Sequence, residues 1–235
     1  MSRTKDRPLP SGHIFMFEAI AFSAFLLISG LVYLLTFVNL ICSFVTLISA
    51  VIYLLIYTPL KTRSPLNSII GAIPGAIPPL LGWVAATGEI GAGGMALFAI
   101  LLVWQLPHFI AITLYLNSDY RRAGIRTVAV VRGEWAAKAQ ALAYATLLIP
   151  VSLLPVTAGL GGAVYTVIVL LAGMGFWYMG LIGFRKDVFQ RSGEFVAGRS
   201  SWYRSLINAF FGQPRWLTGI IGKTFHFNPP PTGRV

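Results

Sequence analysis

Six long apolar stretches, at about 14–35, 37–58, 67–87, 92–117, 137–158 and 163–184, leave this chain few ways to fold. Each is close to the ~20 residues that cross about 30 Å of hydrocarbon at 1.5 Å per residue. Inside a bilayer the backbone finds no water, so it must satisfy its own polar groups, and isolated stretches of this length do so as helices. Of the 235 residues, 56% are apolar and only 11% charged. That is about half the charge of a soluble domain. The expected fold is all-α, a polytopic transmembrane bundle of six spans.

A net charge of +11 would suggest nucleic acid in a soluble chain, but here the cations follow the connections. Arg3, Lys5 and Arg7 precede the first span, and Lys61 and Arg63 lie between the second and third. Arg121, Arg122, Arg126, Arg132 and Lys138 fall around the fourth connection, and Arg185, Lys186, Arg191, Arg199 and Arg204 follow the last span. The connections near 36, 88–91 and 159–162 hold no Lys or Arg. This alternation is the positive-inside pattern, and it predicts a cytoplasmic N-terminus, cytoplasmic basic loops and a cytoplasmic tail. Nucleic acid is not implied. Cys42 stands alone within the second span, so the chain can form no internal disulfide. The polar start MSRTKDRPLPSG and the length of the first span are not those of a signal peptide.

The fourth span carries the most informative residues, in WQLPHFIAITLYLNSDYRRAGIRT (104–127). If one helix continues through it, His108 and Asp119 are eleven positions apart and differ by about 20° around the axis. Trp104, Tyr115 and Arg122 then fall within about 40° of His108, and Gln105 within about 60°. Eleven residues rise roughly 16 Å, so His108 is expected near mid-membrane if Asp119 marks the boundary. Such a stripe reads either as hydrogen bonds holding helices together or as the wall of a wet cavity, because facing lipid would cost several kcal/mol.

The second span repeats the pattern with Thr46, Tyr53 and Tyr57 on one face, and it runs into YTPLKTRSPLN, a short basic loop bracketed by Pro59 and Pro65. The third holds Pro74, Pro78 and Pro79, which are expected to break or kink it. Gly71 and Gly75 in the same span form a small-xxx-small pair suited to close helix approach.

One acid (Asp119), several cations and an aromatic-lined cavity suit a diphosphate at the mouth and a hydrophobic molecule behind it. A carboxylate can hold Mg²⁺ against phosphate oxygens. Arg and Lys neutralise charge on a departing diphosphate. Tyr and Trp faces stabilise a cation in a dry pocket. Several carboxylates normally surround such a metal, and Asp6 is the only other acid near in the sequence.

The blocks MSRTKDRPLPSGHI, YTPLKTRSPLNSIIGAIPGAIPPLLGW and WQLPHFIAITLYLNSDYRRAGIRT, in this order and spacing, closely resemble the protohaem IX farnesyltransferases of the intramembrane prenyltransferase superfamily. The resemblance runs from Met1 to about Phe184. It implies a helical bundle around a central cavity open to the cytoplasmic side, with Mg²⁺ and farnesyl diphosphate held between two acidic loops. Farnesyl transfer to a vinyl group of haem B, completed by water, would yield haem O for terminal oxidases. The resemblance also implies a bacterial plasma (inner) membrane, with haem A synthase or oxidase assembly proteins as partners.

By the same resemblance Asp119 is the metal-binding and catalytic acid of the second acidic loop, with Lys61 catalytic beside it. Arg3, Arg7, Lys61, Arg63 and Arg122 would meet the diphosphate. His108, in the PHF motif, with Trp104, Gln105, Tyr115, Tyr53 and Tyr57, would line the haem side of the cavity. Two other readings stay open. One is a non-catalytic haem-binding or oxidase-assembly membrane protein, the other a prenyltransferase with a quinone-type acceptor.

The chain departs from the family at both ends. The family's first acidic motif lies upstream of the block that here starts at Met1, so about two helices are absent. The expectation is a fragment of a longer enzyme, and the opposite reading is a short paralogue without catalysis. Residues 1–184 then form the membrane domain and 185–235 a cytoplasmic or interfacial tail. Its stretch 206–225 is weakly apolar and interrupted by Gln213, Pro214, Arg215 and Lys223. A central Arg costs about 2.5–3.5 kcal/mol on insertion, which favours an interfacial position.

Overall fold

The computed structural model describes residues 8–185. Arg3, Arg7 and the tail with its 206–225 segment lie outside the described residues. Among these residues every regular element is helical, and six helices are long and apolar enough to cross a bilayer. The spans are α1 (Met16–Phe37), α2 (Leu40–Leu60), α3 (Asn67–Thr87), α4 (Ala92–Tyr115), α6 (Val128–Thr157) and α7 (Ala163–Arg185). A short helix, α5 (Asn117–Arg122), lies between α4 and α6. The chain is an integral membrane protein, and its helical bundle follows from the six apolar stretches.

The helix ends follow local chemistry. Glu18, the one acid in the first stretch, accepts from the Phe15 N–H at 2.9 Å and so closes the first turn of α1. Asn39 caps α2 by accepting from the Cys42 N–H at 2.8 Å. Its amide also donates to the Val84 carbonyl at 3.0 Å, pinning the start of α2 to the end of α3. Gly88, at φ 80°, ends α3 in the left-handed conformation that favours glycine. Thr127 caps α6, so Arg132 and Lys138 stand on that helix rather than in a loop. A kink at Gly133 (φ 86°) separates its first turns from the apolar part.

Packing is concentrated on α4, which lies against both α3 and α6. Between α2 and α3, Cys42, Val45, Ile77, Leu80 and Val84 form a buried cluster covered by Leu34 and Phe98. By contrast α1 has no buried residue, as expected of a helix apolar on all sides that meets lipid. On α7, Trp177 Nε1 donates to Thr146 Oγ1 of α6 at 2.9 Å, and the Tyr165 hydroxyl donates to the Ser152 carbonyl at 2.9 Å.

At the end of the bundle away from the basic loops, Trp83 lies on a bed of glycines at the start of α4. A Cβ on Gly94 would fall 2.8 Å from Trp83 Cδ1, and one on Gly93 would strike the same ring and come 2.6 Å from Leu160 Cδ1. These glycines are required by proximity rather than by backbone angle.

The three prolines do not break α3, which is helical without interruption from Asn67 to Thr87. The cost falls on hydrogen bonds instead. Pro74, Pro78 and Pro79 offer no N–H, so the carbonyls of Ile70, Pro74 and Gly75 lack the donor one turn ahead.

At the basic end, Asn67 ties two loops together. It is only 5% exposed, and its amide nitrogen donates to the Ser64 and Arg126 carbonyls, both at 2.8 Å. The Arg126 N–H donates to the Lys61 carbonyl at 3.3 Å. The loop after α2 and the loop before α6 are therefore stitched across the first turn of α3. Replacing Asn67 by Leu removes the side-chain donor from the part-buried Arg126 carbonyl and with it the tie between the loops, at a cost of about 1–3 kcal/mol. Thermal unfolding in detergent should show a clearly lower midpoint for Asn67→Leu, and an unchanged midpoint would contradict the stitch. Gly93→Val should likewise lose about 1–3 kcal/mol by overpacking Trp83. The same melt reads it, and wild-type behaviour would mean that the glycine bed is slack.

Candidate active site

The site begins with a change of helix type. In α2 the α-helix gives way to a π-helical turn over Ile52–Tyr57. Its wider i→i+5 bonding, including the Thr58 N–H to the Tyr53 carbonyl, brings residues four to five apart close to one line. Tyr53, Tyr57 and Lys61 thereby share one wall. The tyrosine ring centroids are 5.3 Å apart, and Lys61 Nζ lies 6.0 Å from the Tyr57 centroid. Such π turns are frequent at functional sites.

These three side chains line a cavity of about 500 Å³ beneath the stitched loops. Its opposite wall is α4, through Gln105, Phe109, Ile112 and Thr113, spaced as one helical face. Its floor is α3, with Ser68, Gly71, Pro74 and Gly75, and its rim carries Asn67, Tyr120, Ile125 and Thr127. A volume of this order falls within the range of small-molecule sites.

The Gly71–Gly75 pair does something other than admit a helix backbone. A Cβ on Gly71 would lie 2.6 Å from the Tyr57 ring, and a Cβ on Gly75 would fall directly on Gln105 Oε1. The two glycines form a groove in which one side chain from α2 and one from α4 lie flat on α3. Gln105 is 6% exposed and its amide has no protein hydrogen-bond partner among the described residues.

Four of the residues expected from the sequence meet here: Lys61, Tyr53, Tyr57 and Gln105. Trp104, His108, Tyr115, Arg63, Asp119 and Arg122 do not line this cavity. Trp104 and His108 are stacked on each other, with centroids 5.2 Å apart and planes at 12°, and His108 meets Phe109 at 6.1 Å. Arg63 is exposed. Asp119 is held by Arg122 at 3.3 Å in an exposed i,i+3 pair, with Arg122 72% exposed.

The stripe from His108 to Asp119 is not continuous. The helix ends at Tyr115, and Leu116 (φ −102°, ψ 23°) breaks the register before α5. The sequence Asn117–Ser118–Asp119 is of the kind that competes with a helix for hydrogen bonds, so the phase carried across it is lost. Within α4 the cavity stripe runs 105, 109, 112, 113, one position beyond the stripe drawn through His108. Asn67 and Tyr120 went unnoticed in the sequence, and the signal for Asn67 was an amide at the start of a proline-rich span.

Lys61 has no carboxylate partner among the described residues, where the Arg122–Asp119 pair is the only salt bridge. An unpaired ammonium on an aromatic wall can meet an anion at the rim of an apolar space. Among the described residues no three His, Cys, Asp or Glu side chains come together as a metal site.

The UbiA prenyltransferase family matches residues 1–202. Protoheme IX farnesyltransferase from Anaeromyxobacter sp. (strain Fw109-5) is 44% identical over 174 residues, covering 74% of this chain and 59% of that protein. The protein of the same name from Myxococcus xanthus is 39% identical over 221 residues, covering 94% and 71%. That from Sorangium cellulosum is 38% identical over 209 residues, covering 89% and 75%. The chain thus spans between 59% and 75% of the length of these relatives. No solved structure matches it. With a family match over residues 1–202 and six membrane-length helices, this chain belongs to the UbiA prenyltransferase family.

Proposed function

We propose that the cavity is the site of farnesyl transfer from farnesyl diphosphate to a vinyl group of haem B, giving haem O. The observation that carries this is Lys61, an ammonium without an acid partner among the described residues, at the aromatic rim of an apolar cavity, together with relatives named protoheme IX farnesyltransferase. The diphosphate is the anion for Lys61, and the apolar space beyond takes the prenyl chain and the acceptor's reacting edge.

The chemistry follows from these residues. Lys61 stabilises the charge that grows on the diphosphate as the bond from oxygen to the first farnesyl carbon breaks. The faces of Tyr53 and Tyr57 offer electron density to the allylic cation left behind. The π-electron pair of the vinyl group then bonds its terminal carbon to that carbon, and the cation left on the inner vinyl carbon takes up water and loses a proton to give the hydroxyl of haem O. Arg63, Arg122 and Asp119 belong to the outer edge of the diphosphate site in this reading, with Arg3 and Arg7 as further cations. The stacked Trp104–His108 pair, with Tyr115, is assigned to the haem side.

Prenyltransferases of this family typically use a divalent metal on the diphosphate, and Mg²⁺ is the ion this reading names. The described residues do not fit it by themselves: Asp119 is already paired and no other acid joins it. The basic loops face the cytoplasm in this proposal, in a bacterial plasma membrane, where haem O would pass to a haem A synthase or a terminal oxidase.

The test uses the full chain in membranes, supplied with haem B and farnesyl diphosphate, with farnesylated haem read by mass. Lys61→Gln should lower kcat/KM for farnesyl diphosphate by about 10²–10³, the scale for losing one charge-stabilising donor. Wild-type membranes that bind haem but never farnesylate it would instead favour the haem-binding reading. A mutant as active as wild type would remove Lys61 from the site.

A further inference from the structure

We infer that Gln105 holds the water molecule consumed in the reaction, an assignment that rests on the farnesyl-transfer reading. Haem O carries a hydroxyl that neither farnesyl diphosphate nor the vinyl group supplies, so one water must reach a carbocation inside an apolar cavity. Gln105 is the nine-tenths-buried polar side chain of that cavity's α4 wall whose amide has no protein partner among the described residues, and such a group costs free energy unless something polar meets it.

Depth supports the assignment. Tyr57 lies on Gly71 with the Lys61 ammonium above its ring, and Gln105 lies on Gly75, one helical turn further along α3. One turn is about 5.4 Å. With the diphosphate at Lys61, the first farnesyl carbon and the vinyl group it attacks fall at the level of Gln105. Nothing polar on the prenyl chain or the vinyl group reaches that level, which leaves water as the neutral polar reactant.

Composition supports it too. A buried water needs two to four polar partners. The Gln105 amide offers a donor and an acceptor, and Pro74 and Gly75, both on the cavity floor, have carbonyls whose i+4 donors are replaced by Pro78 and Pro79. A neutral amide is also a poor nucleophile, so it can sit beside a cation without capturing it, whereas a carboxylate there would compete with water.

The step balances. The carbon–oxygen bond of farnesyl diphosphate breaks and its electron pair leaves on the diphosphate. The vinyl π pair forms the new carbon–carbon bond, leaving a cation on the carbon next to the porphyrin ring. The water held by Gln105 adds its oxygen to that carbon, and its surplus proton passes to the departed diphosphate. Without a placed water, the same cation loses a proton from the neighbouring carbon to the diphosphate and becomes an alkene, lighter than haem O by one water.

The measurement is product partition in membranes containing the full chain, fed haem B and farnesyl diphosphate. Gln105→Leu should raise the ratio of alkene to hydroxylated product about tenfold or more, a shift of ~1.4 kcal/mol between competing steps. Gly75→Ala should shift it in the same direction, because its methyl group displaces the Gln105 amide. Helicity and melting in detergent identify a variant that fails to fold, in which case Gln105→Met, closer in length, carries the test. An unchanged ratio in folded variants overturns the assignment even if the rate falls. Complete loss of product from a folded variant also overturns it, by putting Gln105 on the acceptor. If wild type forms no farnesylated haem, the functional reading itself fails.

Discussion

Hydrocarbon offers no hydrogen-bond partner, and the consequences of that one fact run through the whole molecule. Each span must satisfy its own backbone, so the chain is helical wherever it is apolar. Where α3 gives up three N–H donors to proline, the freed carbonyls must lie against protein or a polar space, and Pro74 and Gly75 do line the cavity. Where loops re-enter at the basic end, Asn67 supplies donors to two main-chain carbonyls that have no strand or helix of their own. The cavity exists because these requirements are met around it rather than across it.

The second constraint is the absence of side chains at two positions one turn apart. Gly71 and Gly75 let Tyr57 and Gln105 rest on the backbone of α3, and any larger residue would push either side chain out of place. A small-xxx-small pair in a membrane helix commonly serves helix association. In this chain it serves to position two polar groups, one near the charged rim and one at depth. The π turn in α2 complements it by aligning Tyr53, Tyr57 and Lys61 on the wall above.

Much of the fold could be read in the sequence, because span length and charge alternation report directly on the solvent. The six expected stretches correspond to the six observed helices, with the main difference in α6, where Thr127 starts a helix well before the apolar run begins. The site was legible only in part. Lys61 and its two tyrosines follow from a basic loop and an aromatic face. The stripe on α4 was drawn through His108 because a histidine in an apolar run draws attention, yet the cavity face begins at Gln105. The projection onto Asp119 failed because no sequence periodicity announces the break at Leu116. Asn67 was invisible for another reason: its partners are main-chain carbonyls, one of them 59 positions away.

Farnesyl transfer at this site requires the prenyl substrate to occupy this cavity. The most direct measurement is photo-crosslinking of the membrane-embedded chain with a farnesyl diphosphate analogue that carries its reactive group near the first isoprene unit. Crosslinks on peptides spanning 53–61 and 105–113, suppressed by excess farnesyl diphosphate, are the predicted result. Crosslinks confined to α1 or α7, or insensitive to competition, would contradict it.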